Sequence, residues 1–175
     1  MLCLKYRFST RIFINRGNHE TNYCNLEEGF LREIQGREGQ SREFYDMFQK
    51  CFRALPLGVV IVTFSKAYFV VHGGIPIVDD KPLSIKKMDS IQRNTEPADK
   101  QSPISQILWN DFSDKDDWQP SKRGGWGFQV GRSALSQFLE LENIESVIRS
   151  HEETPEGWKE APGCITGKLN PSLVY

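Results

Sequence analysis

Apolar positions in this chain fall into two patterns. Short unbroken runs of β-branched and aromatic residues, closed by glycine, asparagine or proline, predict buried strands. Residues 11–15 form one such run, closed by Gly17 and Asn18; 145–149 form another. Residues 59–63 and 68–71, separated by Ser65-Lys66, predict a hairpin. Helical spacing appears at Phe44, Met47, Phe48, Cys51 and Phe52, and predicts a helix that packs this stripe into the core behind a Ser41 N-cap. Asn25 with Glu28 three residues on predicts a helix opening there and running toward Ile34, and 133–143 predicts another. Pro56 ends the first helical region. Residues 76–105 turn polar and proline-rich and are expected on the surface, and 115–127 is a long loop rich in charge, glycine and tryptophan. Strands alternating with helices predict an α/β layered architecture.

Composition narrows the function classes. A chain of 175 residues fits one domain or a large part of a bigger one, and is long enough to bury a core without staples. The formal charge of −1 argues against a nucleic-acid footprint or a polybasic membrane patch. It leaves room for a phosphorylated ligand, which needs only local cations. Cys3, Cys24, Cys51 and Cys164 are scattered without a C-x-x-C pair, which reads as reduced thiols. No apolar run approaches the roughly 20 residues of a membrane helix, and the first residues carry no signal-peptide core. A cytoplasmic or nuclear protein without membrane or nucleic-acid partners is the expectation.

All three histidines stand in similar contexts: His19, His72 and His151 each lie at or just beyond the C-terminal end of a predicted strand. That edge of an α/β sheet is where ligand sites collect. Neutral imidazoles with an asparagine oxygen suit manganese, iron or zinc, and Gly73-Gly74 behind His72 lets backbone approach a ligand closely. The histidines are far apart in sequence, so spacing alone gives no metal motif.

Arg16-Gly-Asn-His-Glu20 resembles the signature of the phosphoprotein phosphatase family of serine/threonine phosphatases, within the calcineurin-like metallophosphoesterases. Further matches follow in order: Asn25, Gly29-Phe30, Leu55-Pro56, His72-Gly73-Gly74, Leu108-Trp-Asn-Asp111, Ser121-Lys-Arg-Gly124 and Ile148-Arg-Ser-His-Glu152. The last two are most similar to the type-5 and EF-hand-containing branches. The resemblance implies that Asn18, His72 and His151 are ligands of the family's second metal ion. It also implies that His19 is the general acid toward the leaving oxygen, and that Arg123 grips substrate phosphate. Two divalent metals (manganese, iron or zinc), phosphorylated protein substrates and regulatory subunits come with it.

Departures from the pattern set further expectations. The family's Gly-Asp-x-His-Gly and Gly-Asp-x-x-Asp-Arg-Gly signatures have no counterpart, and with them go the first metal's ligands and the bridging aspartate. A partial metallophosphoesterase fold is therefore expected, a β-sandwich flanked by helices without its N-terminal strands. It matches over residues 1–166 and diverges over 167–175, where Tyr175 is not equated with the family's loop tyrosine. At most one weak metal site and little turnover are expected, with a non-catalytic protein binding phosphoproteins or regulators as the alternative. A generic α/β domain with structural histidines is a third reading. From Arg123 to Gly131 the spacing is one residue longer than the family's, which leaves the arginine's aim open.

Overall fold

The computed structural model describes residues 1–37 and 41–167; residues 168–175, and with them nearly all of the divergent tail, lie outside the described residues. The first third is helical: α1 (Leu2–Arg7), α2 (Asn22–Glu27), α3 (Phe30–Gly36) and α4 (Arg42–Ala54), with a 3₁₀ turn at Asn18–Glu20. The predicted hairpin comes next as β1 (Gly58–Val62) and β2 (Ala67–Val71), antiparallel with Gly58 opposite Val71. Then come β3 (Ile77–Val78), β4 (Lys81–Pro82), α5 (Ile85–Asp89), α6 (Pro103–Trp109), β5 (Asp111–Phe112), β6 (Gln119–Pro120) and β7 (Phe128–Val130). The chain continues through α7 (Arg132–Glu142), β8 (Ser146–Arg149), β9 (Trp158–Ala161) and β10 (Cys164–Gly167).

The strands make a five-stranded sheet in the order β1-β2-β8-β10-β9, a three-stranded sheet β5-β7-β6 and the β3-β4 ribbon. This is the expected α/β class. Within the large sheet β2 and β8 lie side by side and parallel, with Val71 opposite Arg149. Both strands therefore end at the same edge. A single apolar cluster draws Phe69 and Val147 from the large sheet, Val130 from the small one, and Leu108 and Phe138 from α6 and α7.

Several expectations are corrected. Residues 11–15 are not a strand: a strand needs a ladder. The backbone N–H groups of Arg11 and Ile12 donate instead to Phe8, that of Arg16 to Pro56, and Phe13 is 66 % exposed. Asn25 is not a cap. Thr21 caps α2, its hydroxyl accepting from the Cys24 N–H, and left-handed Gly29 (φ +93°) separates α2 from α3. Helix α4 forms, but its buried residues are Tyr45 and Gln49, whose side chains bond Asn22 (2.8 Å) and Asn25 (2.6 Å) of α2. Phe48 and Phe52 are half-buried around Phe30, and Phe44, Met47 and Cys51 are exposed. The 76–105 stretch is not all surface, because Ile77, Met88 and Ile104 enter the core. Helix α6 and strands β9 and β10 had no counterpart among the elements predicted from sequence.

Candidate functional site

Hydrophobic strands with turn-forming ends place the first two groups. Because β2 and β8 are parallel and in register, the residues just past them, His72 and His151, meet with ring centroids 5.0 Å apart. Ser150 ties the two ends together: its N–H donates to the His72 carbonyl (3.1 Å), and its hydroxyl lies 3.1 Å from His72 Nδ1. Gly73 permits this packing, since a Cβ there would stand 2.7 Å from the backbone of Leu108.

His151 is unusual in three respects. It is buried, it adopts a left-handed backbone (φ +73°), and its Nε2 has no hydrogen-bond partner among the described residues. Left-handed non-glycine residues cost energy and gather at functional sites. Burial pushes the imidazole pKa down to about 4 against the opposing pull of Asp111, so at neutral pH this ring carries a free lone pair.

The turn after residues 11–15 supplies the third group. Arg16, fully buried, donates to the carbonyls of Glu20 (2.9 Å) and Thr95 (2.7 Å) and to Glu96 (3.2 Å). The turn is thereby clamped to the 93–96 loop. The Thr21 hydroxyl donates to the Asn18 carbonyl (2.6 Å), and Asn18 Oδ1 reaches His72 Nε2 at 2.8 Å. Gly17 leaves the required space, because a Cβ there would stand 2.9 Å from the His72 ring. Asn18, His72 and His151 are thus brought together. His19, next in the chain, turns outward: its Nδ1 lies 2.7 Å from Glu28, and both side chains are more than half exposed.

Arg123 joins through a carboxylate. Asp111 accepts from Arg123 Nε (2.7 Å) through one oxygen and from Arg149 Nη2 (2.7 Å) through the other, which also lies 3.9 Å from His151 Nε2. Arg149 is buried and further donates to the carbonyls of Gly73 and Asn110 and to Glu152. Sequence reasoning assigned no role to Asp111 or Arg149, although both stand in motifs that resemble the family's. One signal was available: an arginine inside an apolar strand such as Ser146–Arg149 must have a buried partner.

These residues fit a divalent ion in part. Two imidazoles and an amide oxygen are donors that borderline metals accept, and the unpartnered Nε2 of His151 is a ligand atom in waiting. Asn18, His72 and His151 are neutral donors, and among the described residues no group of three or more His, Cys, Asp or Glu side chains is placed to hold a metal.

Comparison with known proteins gives a consistent picture. The sequence model of the calcineurin-like phosphoesterase family matches residues 1–155. The catalytic subunit of serine/threonine-protein phosphatase 4 from Kluyveromyces lactis is 33 % identical over 180 residues, an alignment covering all of this chain and 54 % of that protein. Serine/threonine-protein phosphatase T from Aspergillus oryzae is 37 % identical over 158 residues, 89 % of this chain and 31 % of its own length. The structure of a Saccharomyces cerevisiae protein serine/threonine phosphatase, described as similar to human phosphatase PP5, superposes with a TM-score of 0.86 at 28 % identity. That match covers 97 % of this chain and 51 % of the yeast chain. The chain thus spans about a third to a half of the length of the relatives it matches.

Proposed function

This chain belongs to the calcineurin-like phosphoesterase family, and we propose that its reaction is the metal-dependent hydrolysis of phosphoserine and phosphothreonine in proteins. The observation that carries the reading is the meeting of Asn18 and His72 with the buried, unpartnered nitrogen of His151, one carboxylate away from Arg123. In this reading Asn18, His72 and His151 hold a manganese, iron or zinc ion, which when bound supplies a Lewis acid for the phosphoryl oxygens. Arg123 offers a planar fork to phosphate. His19, exposed and oriented by Glu28, hands a proton to the departing serine or threonine oxygen. Phosphorylated proteins are the substrates and regulatory subunits the further partners. The cytoplasm or nucleus is the proposed location, in keeping with four free thiols.

The neutral donor set tempers the activity expected of these 175 residues by themselves. A donor set without a carboxylate attracts a dication weakly, and Asp111 beside it is already paired with two arginines. The same observation favours a second reading, a protein that binds phosphoproteins or regulators without turning them over. Calorimetry with manganese and a phosphoserine peptide tests both. One weak ion per chain is expected, lost in His72→Ala, with the phosphopeptide preferred over its unphosphorylated twin until Arg123 is replaced by alanine. Slow turnover of a chromogenic phosphate ester that stops on chelation selects the enzyme reading, and binding without turnover selects the second. A chain that binds no manganese and does not discriminate the phosphopeptide would refute both.

A further inference from the structure

The segment from Arg123 to Gly131, one residue longer than the family spacing, resolves into a definite shape. Three of its glycines are left-handed: Gly124 (φ +60°), Gly125 (φ +80°) and Gly127 (φ +64°). A Cβ at Gly124 would meet nothing within 4 Å and one at Gly125 only Lys100 at 4.0 Å, whereas one at Gly127 would stand 2.6 Å from Asn110 Oδ1, so the loosely packed stretch is Gly124-Gly125. Glycine-rich backbone of this kind loses more conformational entropy on ordering than any other. Between Arg123 and Phe128 only one side chain is larger than a hydrogen, and it is Trp126.

Trp126 sits in the middle of an aromatic column. Its ring stacks on Trp109 (centroids 5.4 Å apart, planes at 24°) and tilts against Tyr23 (4.9 Å, 41°), while Lys100 Nζ lies 5.8 Å from its centroid. Trp109 in turn meets His151 edge to face at 5.6 Å. The indole Nε1 is buried with no hydrogen-bond partner among the described residues, so the ring is held by its faces and not by a directional bond. The Trp126 N–H closes a turn onto the Arg123 carbonyl (3.1 Å), so wherever the indole is fixed, the Arg123 backbone is fixed with it.

We propose that Trp126 is the positioning residue for Arg123: the indole, locked between Tyr23 and Trp109, converts a loose glycine loop into a mount that aims the guanidinium at Asp111 and the His72–His151 edge. Arg123 is then held at both ends, its backbone by the aromatic column and its Nε by Asp111. A rival mount exists. Lys100 Nζ donates to the Gly124 carbonyl (2.8 Å), Gln101 Nε2 to that of Gly125 (3.1 Å), and the Gly127 N–H to the Lys100 carbonyl (2.9 Å). The Arg123 N–H also donates to Ser121 Oγ (3.1 Å); these bonds restrain the loop's backbone, and Lys100 belongs to both mounts because its Nζ faces the Trp126 ring.

The experiment separates the two mounts on the full chain labelled with ¹⁵N-arginine, reading Nε–H resonances. Arg123 is identified by its loss in Arg123→Lys and Arg149 by its loss in Arg149→Lys. The expected result is that Trp126→Ala moves the Arg123 resonance to the position and fast exchange of a free arginine. Trp126→Phe restores it, and Arg149, which shares Asp111 with Arg123 but whose Nε donates to the Gly73 carbonyl, keeps a slowly exchanging Nε–H throughout. An Arg123 resonance unchanged in Trp126→Ala overturns the proposal in favour of the backbone bonds. Should Trp126→Ala disturb Arg149 too, Trp126→Leu decides. Arg123 moving alone supports the proposal, and a joint movement in both variants overturns it, because the indole is then a general core residue. The role in phosphate capture rests on the function proposed above, and inorganic phosphate tests it separately. Titration should shift the wild-type Arg123 resonance, with affinity falling roughly five- to tenfold in Trp126→Ala. If phosphate leaves Arg123 unmoved while Trp126→Ala still releases it, the positioning stands and the phosphate reading falls.

Discussion

At the ends of β2 and β8, His72 and His151 are placed by two parallel strands in register, with Ser150 bonded to the carbonyl and ring of His72 and the buried Arg149 beneath. Facing them, Asn18 and His19 stand on a single 3₁₀ turn whose position depends on side chains, namely the buried guanidinium of Arg16 and the hydroxyl of Thr21. Arg16, Asn18 and Thr21 are as buried as His151, His72 is half-buried, and the turn side opens to solvent at His19 and Glu28. The difference teaches how such a site divides its labour. The buried Asn18 and His151 are fixed by a side-chain bond or by strand register, while His19, proposed above to donate a proton, stands where water reaches it.

The contrast can be broken most forcefully on the strand side. Asp111→Ala removes one of the two carboxylates that face the buried Arg149, leaving Glu152, so the loss should sit at about 3 kcal/mol, the low end of the range for an uncompensated buried charge; urea denaturation should register it. The next effect is one of pH. His151 holds a folded pKa of about 4 against an ordinary value of 6.5, so the unfolded chain binds a proton through pH 6.5 that the folded chain refuses until about 4. Stability is therefore complete above pH 6.5 and declines as pH falls toward 4, by about 3 kcal/mol in the metal-free protein. Denaturation midpoints across that window should slope in the wild type and flatten in His151→Asn.

Smaller effects belong to the turn side. Thr21→Ala removes both the α2 cap and the bond to the Asn18 carbonyl and should cost about 1–2 kcal/mol, with part of the loss recovered in Thr21→Ser. Glu28→Gln should change stability by less than about 0.5 kcal/mol, as solvent-exposed pairs do. If Glu28→Gln proved as costly as Asp111→Ala, the division between the two sides would not hold.

Much of the large sheet was legible because its code is local. The hairpin of β1 and β2 needs only two β-branched runs and a short polar spacer, and α7 and β8 come from equally plain periodicity. What remained hidden depends on partners distant in sequence. The run at 11–15 has strand composition but no ladder, and composition carries no information about neighbours. Helix α4 carries a regular apolar stripe, yet the face it buries is the one whose Tyr45 and Gln49 find Asn22 and Asn25. In the site, the position of each histidine past an apolar run was readable, whereas the meeting of Asn18 with His72, 54 residues apart, was implied only by the family resemblance. Asp111 gave no sign of its role because an aspartate in a strand of only two residues looks solvated until the two arginines that face it are located.

The left-handed backbone at His151 also bears on how this site can be lost by inheritance. β-Branched and bulky replacements there remove the imidazole and raise the conformational cost together. Asparagine and aspartate tolerate that conformation and lie a single base change from a histidine codon. A related gene that loses the imidazole but keeps this backbone would therefore most readily carry one of those two residues, an intact fold with an altered site.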